Sequence, residues 1–494
     1  MSVAGIPDDA RAPLLIGGAF VPPSSGSWRD VIDPSRGTPL GQVAVGTRED
    51  ARAAVDAAAQ VEETWGATPA HHRAAILREL ARRLALDREV LATLIAHEVG
   101  KPLVDARTEV DRAAGVYGYA AEETRHLGGE SFPPDAYPLP EGNESRMLFT
   151  VRDPVGVVVA ISPFNFPLNL LSHKVAPALA AGNPVVAKPT SAAPFTALRL
   201  ARHAMDAGVP AGVLNVVLGP GEAVGDALVE HPRTRLVTFT GSTSVGKGIG
   251  ERAGRHVKRL ILELGGLDPL VVLDDAPLEA AVRATVRGAF GYAGQVCTAS
   301  KRILVAEGIA DRFAALLAER ARGLRIGPAP DETTEVGPLI DAGAVDHVDA
   351  LVRDARDRSS QLLAGGERID GPGFFYRPTV LDAVPPEARI AREEAFGPVA
   401  PILRFRDEEE AVAIANGTPY GLQASVYTRD IGRGFRLAKR IRAGGVHLND
   451  PTTLRWDALP FGGVKESGLG REGILTAMRE MTELKLVSVN FARP

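Results

Sequence analysis

The chain has 494 residues, of which 45% are hydrophobic and 24% are charged, and it carries a formal net charge of −5 and a single cysteine. This length exceeds what one hydrophobic core supports, so we expect two or three domains. The composition excludes a disulfide scaffold and a basic nucleic-acid-binding surface, and no apolar run is long enough to predict a membrane span. Asp8 and Asp9 stand where a signal peptide has its basic start and apolar core, which favours a cytoplasmic protein.

The first 150 residues change character twice. Residues 1 to about 47 predict short strands and turns, and from Arg48 to Leu127 apolar residues recur every three or four positions, as in helices. Residues 128–145 are dense in glycine and proline, and an apolar strand over 146–152 follows them. The segment resembles a hairpin arm, although a mobile surface loop fits the pattern equally well.

From Val155 short apolar strands alternate with helices. The predicted strands are 155–161, 184–188, 213–217 and 236–239, and the predicted helices are 168–181, 193–207, 222–231 and one that opens near Ser244. This alternation predicts a parallel α/β sheet, which binds ligands at the carboxyl ends of its strands. A second α/β stretch runs from about Leu270 to Val446, and a helix over 474–480 leads into a final strand, 481–489.

Polar features follow the predicted strands of the first sheet. Asn165 is held between aromatic residues and prolines, so it is either a rigid amide donor for an oxyanion or an ordinary turn asparagine. Lys188 ends an apolar strand and could contact a ribose or a phosphate. Residues 241–246, GSTSVG, open a helix whose N-terminal amides can bind phosphate, but the loop is not GxGxxG and is weak evidence by itself.

Glu263 lies inside the apolar run LILELGG. A carboxylate in such a place is costly unless it is paired, protonated or functional, and burial would raise its pKa towards that of a general base. A structural ion pair with a lysine or arginine is the alternative.

Cys297 is either apolar filler or a reactive thiol. Gly291 and Gly294 predict an irregular backbone before it, and Lys301 and Arg302 place positive charge nearby, which favours the thiolate. Together with a buried glutamate and a phosphate-binding sheet, such a thiol suits one chemistry. The thiolate attacks an aldehyde, hydride passes to a nicotinamide, and water activated by the glutamate hydrolyses the thioester.

Seven motifs carry a family resemblance: SPFNFP (162–167), KPTS (188–191), FTGSTSVG (239–246), LELGG (262–266), GQVCTASKR (294–302), EEAFGPV (393–399) and PFGGVKESGLGREG (460–473). With these motifs the chain resembles an NAD(P)-dependent aldehyde dehydrogenase from about Leu15 to Val489. The resemblance implies that Cys297 is the nucleophile, that Glu263 is the general base, and that Asn165 forms the oxyanion hole with the backbone N–H of Cys297.

The resemblance also implies a cofactor site and a domain plan. The implied cofactor-binding residues are Ile161, Ser162, Pro163, Phe164, Lys188, Ser191, Gly221, Gly241, Ser242, Leu264, Glu394 and Phe396. The implied fold has a Rossmann-like cofactor domain (1–128 and 153–262), an α/β catalytic domain (263–447), and a small β oligomerisation arm with the C-terminal segment (129–152 and 448–494). The implied assembly is a homodimer or homotetramer, and no metal is implied.

Two departures from the family pattern concern the cofactor and the subgroup. Ser191 stands where strict NAD users often carry a glutamate that repels a 2′-phosphate, so we expect NADP to be accepted, with NAD the other candidate. Leu267 and Asp268 replace the common Lys-Ser after the glycine pair, which points to a subgroup.

The substrate is predicted only as a class. The segment 449–457 is similar to subgroups that act on small hydroxy-, semi- or phosphonate-type aldehydes, and Arg455 in it could pair with an anionic group. An internal contact between Arg455 and Asp457 is the alternative. For the reaction itself, a CoA-acylating dehydrogenase and a non-catalytic protein on the same fold remain as alternatives to hydrolytic oxidation.

Overall fold

The computed structural model describes residues 3–136 and 143–491. Within these ranges the strands, in chain order, are β1 (Arg11–Ala12), β2 (Leu14–Ile16), β3 (Ala19–Val21), β4 (Trp28–Asp33), β5 (Thr38–Ala44), β6 (Ser131–Phe132), β7 (Arg146–Pro154), β8 (Val157–Ile161), β9 (Val185–Lys188), β10 (Leu214–Val216), β11 (Thr234–Thr240), β12 (Arg259–Glu263), β13 (Asp268–Val272), β14 (Ser300–Ala306), β15 (Gln361–Ala364), β16 (Thr379–Asp382), β17 (Val399–Phe405), β18 (Gln423–Tyr427), β19 (Gly445–Leu448), β20 (Gly468–Leu469) and β21 (Thr482–Asn490).

The α-helices in the same ranges are α1 (Arg48–Gln60), α2 (Glu62–Gly66), α3 (Ala70–Leu86), α4 (Arg88–Val99), α5 (Leu103–Glu123), α6 (Asn169–Ala181), α7 (Pro194–Asp206), α8 (Asp226–Glu230), α9 (Thr243–Gly254), α10 (Leu278–Phe290), α11 (Glu307–Arg322), α12 (Ala342–Asp357), α13 (Glu408–Asn416), α14 (Ile431–Arg440) and α15 (Ile474–Glu480). The predicted helix 222–231 differs from the observed one, because Gly221–Gly225 forms a wider π-type turn before α8 begins.

The first large sheet has the strand order β20-β12-β11-β8-β9-β10-β2-β3. Its central strands β12, β11, β8, β9 and β10 are parallel. The register places Ile161 opposite Lys188 and Thr240 opposite Glu263, so the polar residues that end these strands meet at one edge. The parallel α/β fold predicted from the alternating pattern is confirmed.

The second large sheet has the order β15-β16-β17-β14-β13-β18-β19, with all its pairs parallel except β15 with β16. Alternate residues of β13 enter two different cores: Leu270 and Val272 pack on one face, and Val271 packs on the other. Both faces are covered by helices, which explains the continuous apolar runs in these strands.

The predicted arm is a small antiparallel sheet in the order β21-β7-β6. Strand β21 pairs along the whole of β7, from Thr482 opposite Pro154 to Asn490 opposite Arg146. Residues 137–142 of the predicted hairpin lie outside the described residues. One strand of the predicted C-terminal segment, β20, joins the first large sheet instead, where Gly468 stands opposite Glu263. None of the described helices is long and apolar enough to cross a membrane.

Candidate active site

Cys297 follows a strained segment at the end of α10. Tyr292 and Ala293 have φ angles of 48° and 51°, a region that side-chain-bearing residues rarely adopt. The Tyr292 hydroxyl donates to the carbonyl oxygen of Val99 at 2.8 Å. The Gln295 amide donates to the Pro338 carbonyl at 3.1 Å. The predicted irregular approach is confirmed, and these contacts hold the cysteine turn in place.

The Cys297 side chain is partly exposed and lines a narrow pocket with about 40 Å³ of space for water. Phe166 and Phe461 form apolar walls of this pocket, and Arg112 and Arg455 bring two cations to it. The thiol is therefore presented to a small cavity and is not apolar filler. A cavity of this size has room for a few water molecules or the head of a small aldehyde.

The thiol is not ionised by its neighbours in this state. Burial raises the pKa of Cys297 to about 12, and the charges of Lys301 and Arg455 lower it only in part. The expectation that Lys301 and Arg302 favour the thiolate is thus incomplete. Burial outweighs them, and the Lys301 ammonium lies 2.9 Å from a carboxylate oxygen of Glu394.

Glu263 ends β12, with 3% of its surface exposed. Neither of its carboxylate oxygens has a hydrogen-bond partner among the described residues, so the alternative of a structural ion pair is wrong within those residues. Burial, and then the negative charge of Glu472, raise the pKa of Glu263 well above its ordinary value. A carboxyl group in this condition can take up a proton near neutral pH, as a general base requires.

A buried network of ion pairs lies beside the pocket, and the sequence did not reveal most of it. Glu472 accepts from Lys174 at 2.7 Å and from Arg455 at 2.9 Å. Asp457 accepts from Arg112 at 2.9 and 2.7 Å, and it lies 2.8 Å from the Nε2 atom of His173. Lys174 was one available signal, because it lies in the largely apolar segment of α6 and a buried cation needs a partner.

The contact between Arg455 and Asp457 that the sequence suggested is present only as a long one. The Nε atom of Arg455 lies 3.9 Å from Asp457, whereas the direct hydrogen bond of this side chain goes to Glu472. The guanidinium group stacks 3.9 Å above the ring of Phe461 and still borders the Cys297 pocket.

Asn165 is buried beside the cysteine turn. Its side-chain amide donates to the carbonyl oxygen of Gln295 at 3.0 Å. The amide is thus oriented by the segment that carries Cys297, two residues further on. An orientation fixed by the cysteine turn suits an oxyanion donor, whereas an ordinary turn asparagine would bond its own loop.

The residues predicted to bind the cofactor end the strands of the first sheet or follow them. Ile161 ends β8, and its neighbour Ser162 has a buried hydroxyl with no hydrogen-bond partner among the described residues. Lys188 ends β9, forms no ion pair with a described residue, and has its pKa lowered to about 8 by burial. Ser191 lies in the turn after β9, and Gly221 opens the turn before α8.

The glycine loop and the second large sheet complete this edge. Ser242 is the N-cap of α9, and a Cβ atom at Gly241 or Gly246 would overlap the side chain of Phe239 or Leu264. The Ser242 side chain makes no capping hydrogen bond to α9, so the amides of its first turn are available to a phosphate. The orphaned polar groups and the glycine cradle fit a nicotinamide dinucleotide.

Glu394 and Phe396 reach the same edge from the loop before β17. A Cβ atom at Gly265 would lie 2.7 Å from the Glu394 carboxylate, so the loop packs closely on the end of β12. Phe396 has a φ of 45°. Its ring packs edge-on against the ring of Phe164, with 5.9 Å between the two ring centroids. The sequence did not indicate His347, whose Nε2 atom lies 3.1 Å from the Glu394 carbonyl oxygen.

A sequence model of the aldehyde dehydrogenase family matches residues 20–487. The chain belongs to the aldehyde dehydrogenase family. It oxidises an aldehyde to the carboxylic acid with NAD or NADP as the hydride acceptor.

Three relatives illustrate the range. The chain is 39% identical to the succinate-semialdehyde dehydrogenase [NADP(+)] of Escherichia coli, over 97% of this chain and 98% of that one. It is 41% identical to the lactaldehyde dehydrogenase of Methanocaldococcus jannaschii, over 93% and 97% of the two chains. A solved betaine aldehyde dehydrogenase of Staphylococcus aureus, in complex with NAD+, is 35% identical over 98% and 95% of the chains, with a TM-score of 0.94.

Proposed function

We propose that Cys297 is the nucleophile, Glu263 the base for deacylation, and Asn165 with the Cys297 backbone N–H the oxyanion hole. The observation that carries this assignment is the buried carboxyl group of Glu263, which has no hydrogen-bond partner among the described residues. It lies three residues before Gly266, where a Cβ atom would stand 3.0 Å from the carbonyl oxygen of Cys297. A structural glutamate at this depth would be paired.

In the proposed reaction the Cys297 thiol first loses its proton to solvent, and the thiolate sulfur then adds to the aldehyde carbon. The Asn165 amide stabilises the resulting oxyanion. The bound nicotinamide supplies the acceptor for the hydride that leaves this carbon. Glu263 then takes a proton from water, whose oxygen attacks the thioester carbon. Cleavage of the carbon–sulfur bond releases the acid, and the thiolate is restored.

The cofactor roles are likewise proposed residue by residue. Lys188 would contact the adenosine ribose, the α9 amides at Ser242 the pyrophosphate, and Glu394 the nicotinamide ribose. Support for NADP comes from Ser191, which is neutral, and from the positive charge of Arg29, which contributes to the lowered pKa of Lys188. The two cations Lys188 and Arg29 at this end favour a 2′-phosphate.

We infer a substrate that bears an anionic group, such as a semialdehyde. Arg112 and Arg455 both border the Cys297 pocket, and Arg455 keeps an Nε atom without a hydrogen-bond partner among the described residues. The two relatives are named for a carboxylate-bearing aldehyde and for a neutral aldehyde, so their names do not decide between the two classes. The inference of an anionic substrate therefore rests on the two arginines. A charge-assisted contact contributes about 1.5–3 kcal/mol, or about 10- to 100-fold in kcat/KM.

The proposed domain division is 1–128 with 153–262, 263–447, and the arm with the C-terminal segment. The arm supports a proposed homodimer or homotetramer, because β21 is an edge strand with Leu484 and Leu486 largely exposed. A cytoplasmic location is proposed from the single cysteine, which suits a reducing compartment.

The test follows absorbance of the reduced nicotinamide with succinate semialdehyde and with pentanal. Cys297→Ser should abolish turnover of both aldehydes, and retained turnover would exclude Cys297 as the nucleophile. Arg455→Met should reduce kcat/KM for the anionic aldehyde alone, since Glu472 keeps Lys174 as a partner; equal losses on both aldehydes would contradict anion recognition. Addition of CoA should leave the rate unchanged if water is the acceptor.

A further inference from the structure

Lys301 occupies an irregular position at the start of β14. Asp268 of β13 stands opposite Ser300, whereas the next residue, Pro269, stands opposite Arg302. Lys301 is therefore the extra residue of a bulge, and bulges near active sites redirect a side chain. The Lys301 side chain, 5% exposed, turns back towards the cysteine turn.

The ammonium group of Lys301 connects two functional segments. It donates to the carbonyl oxygen of Cys297, and it lies 2.9 Å from Oε1 of Glu394. One end of this link is the backbone of the nucleophile, and the other is a carboxylate proposed to bind the cofactor. Because both groups contact the same cation, a change in the charge or position of Glu394 changes the electrostatic field of Lys301 at Cys297.

A second carboxyl group borders the same cation. Asp268 is buried, and its Oδ2 atom has no hydrogen-bond partner among the described residues. Burial raises the pKa of Asp268 to about 7, while the charge of Lys301 lowers it in part. Below about pH 7 Asp268 is mostly protonated, and Glu394 is then the main counter-charge of Lys301.

We propose that Lys301 is a positioning residue that couples occupation of the cofactor site to ionisation of Cys297. The proposal rests on the proposed roles of Cys297 and Glu394. In the free protein Glu394 neutralises the Lys301 charge. When Glu394 hydrogen-bonds to ribose hydroxyls instead, the charge of Lys301 acts on the cysteine turn and favours the thiolate.

The charges that face Cys297 come from five elements, and they determine how far this coupling can reach. They are Arg112 on α5, Asp268 on β13, Lys301 on β14, Glu394 before β17, and Arg455 in the loop after β19. Both arginines have their own buried carboxylates. Of the three cations, Lys301 is the one whose carboxylate partner, Glu394, is also proposed to hydrogen-bond to the cofactor.

The experiment measures alkylation of Cys297 by iodoacetamide at one neutral pH, with and without NADP+, in each variant. The effect of the cofactor is expressed as the alkylation rate with NADP+ divided by the rate without it. Any shielding of Cys297 by the nicotinamide lowers this ratio equally in the wild type and in the variants. The wild-type ratio should exceed the Lys301→Met ratio by about tenfold, which corresponds to about one pKa unit. Lys301→Arg should retain most of the effect.

Lys439→Met serves as the matched control, because it removes the same charge from an exposed position on α14. Its ratio should equal that of the wild type. Equal ratios in wild type and Lys301→Met would overturn the proposal and leave Lys301 as a structural ion pair.

A second variant keeps the test decisive if Lys301→Met fails to fold. In Glu394→Gln the Lys301 charge is uncompensated before any cofactor binds, so the free variant should be alkylated about tenfold faster than free wild type. An unchanged rate would overturn the coupling. Failure of the proposed function is distinguishable, since turnover would then survive in Cys297→Ser.

Discussion

Two buried carboxyl groups near Arg455 have opposite surroundings. Glu472 is held by Lys174 and Arg455, and these cations keep the pKa of Glu472 below its ordinary value. Glu263 has no hydrogen-bond partner among the described residues, and its pKa is raised. The paired group stabilises the architecture, whereas the unpaired group is free to exchange a proton.

The same contrast separates the lysines. Lys174 is fully buried and paired with Glu472. Lys188 is also buried, but it forms no ion pair with a described residue, and its pKa falls to about 8. Buried charges without a protein partner thus mark the positions where a ligand or water completes the site.

The largest expected effect is the loss of kcat when Glu263, the carboxyl group without a partner among the described residues, is replaced. Glu263→Gln should lower kcat about a thousandfold, because deacylation would lose its proposed base. The rapid first turnover of nicotinamide reduction should persist in stopped-flow traces, since the proposed role of Glu263 is in deacylation and not in acylation. In the wild type kcat should rise with pH through the raised pKa of Glu263, as the carboxylate is the active form.

This prediction has a stability counterpart. Because the folded pKa of Glu263 is raised, the folded wild type holds a proton that the unfolded chain has lost, so its stability falls as pH rises above about 4.5. Urea unfolding of Glu263→Gln should lack this dependence. A slow first turnover in the variant would place Glu263 in acylation instead.

The next effect comes from breaking the paired group. Glu472→Gln leaves the charges of Lys174 and Arg455 buried without their counter-ion, and should cost about 3–5 kcal/mol of unfolding free energy. Glu251→Gln is the control, because its pair with Arg255 is exposed, and it should cost less than about 1 kcal/mol. A Glu472→Gln loss as small as that of the control would show that the network contributes little.

A pH-dependent effect is expected at Lys188. Its folded pKa of about 8 lies below the usual 10.5, so between these values the unfolded chain binds a proton that the folded chain does not. The free energy of unfolding of wild type, relative to Lys188→Met, should therefore rise by about 3 kcal/mol as pH increases through this window. A flat difference would mean that Lys188 has a partner in solution.

The smallest effect is expected at the cofactor's adenosine end. Ser191→Glu should lower the ratio of kcat/KM for NADP over NAD by about tenfold, because a carboxylate repels a 2′-phosphate. Ser191→Gln has the same size without the charge and should change the ratio much less. Turnover with NAD but none with NADP in the wild type would refute NADP acceptance.

Much of the fold was accessible from local patterns. The apolar runs 157–161 and 185–188 and the helix 474–480 are observed close to where the sequence predicts them. Burial on both faces of a parallel sheet enforces such runs, so they are visible without knowledge of the neighbours. The pairing of β20 with β12 was not visible, because a two-residue strand has no periodicity.

The sequence by itself determined the family, the lone thiol at Cys297 and the apolar setting of Glu263, since these depend on residue type and on near neighbours. Only the tertiary structure decided the protonation and pairing of these groups. The pKa of Cys297, the hydrogen bond of Arg455 to Glu472 and the shared cation of Lys301 depend on how separate segments fold against one another and on a bulge between strands. Electrostatic energies follow distance and burial in space, which the order of residues does not encode directly.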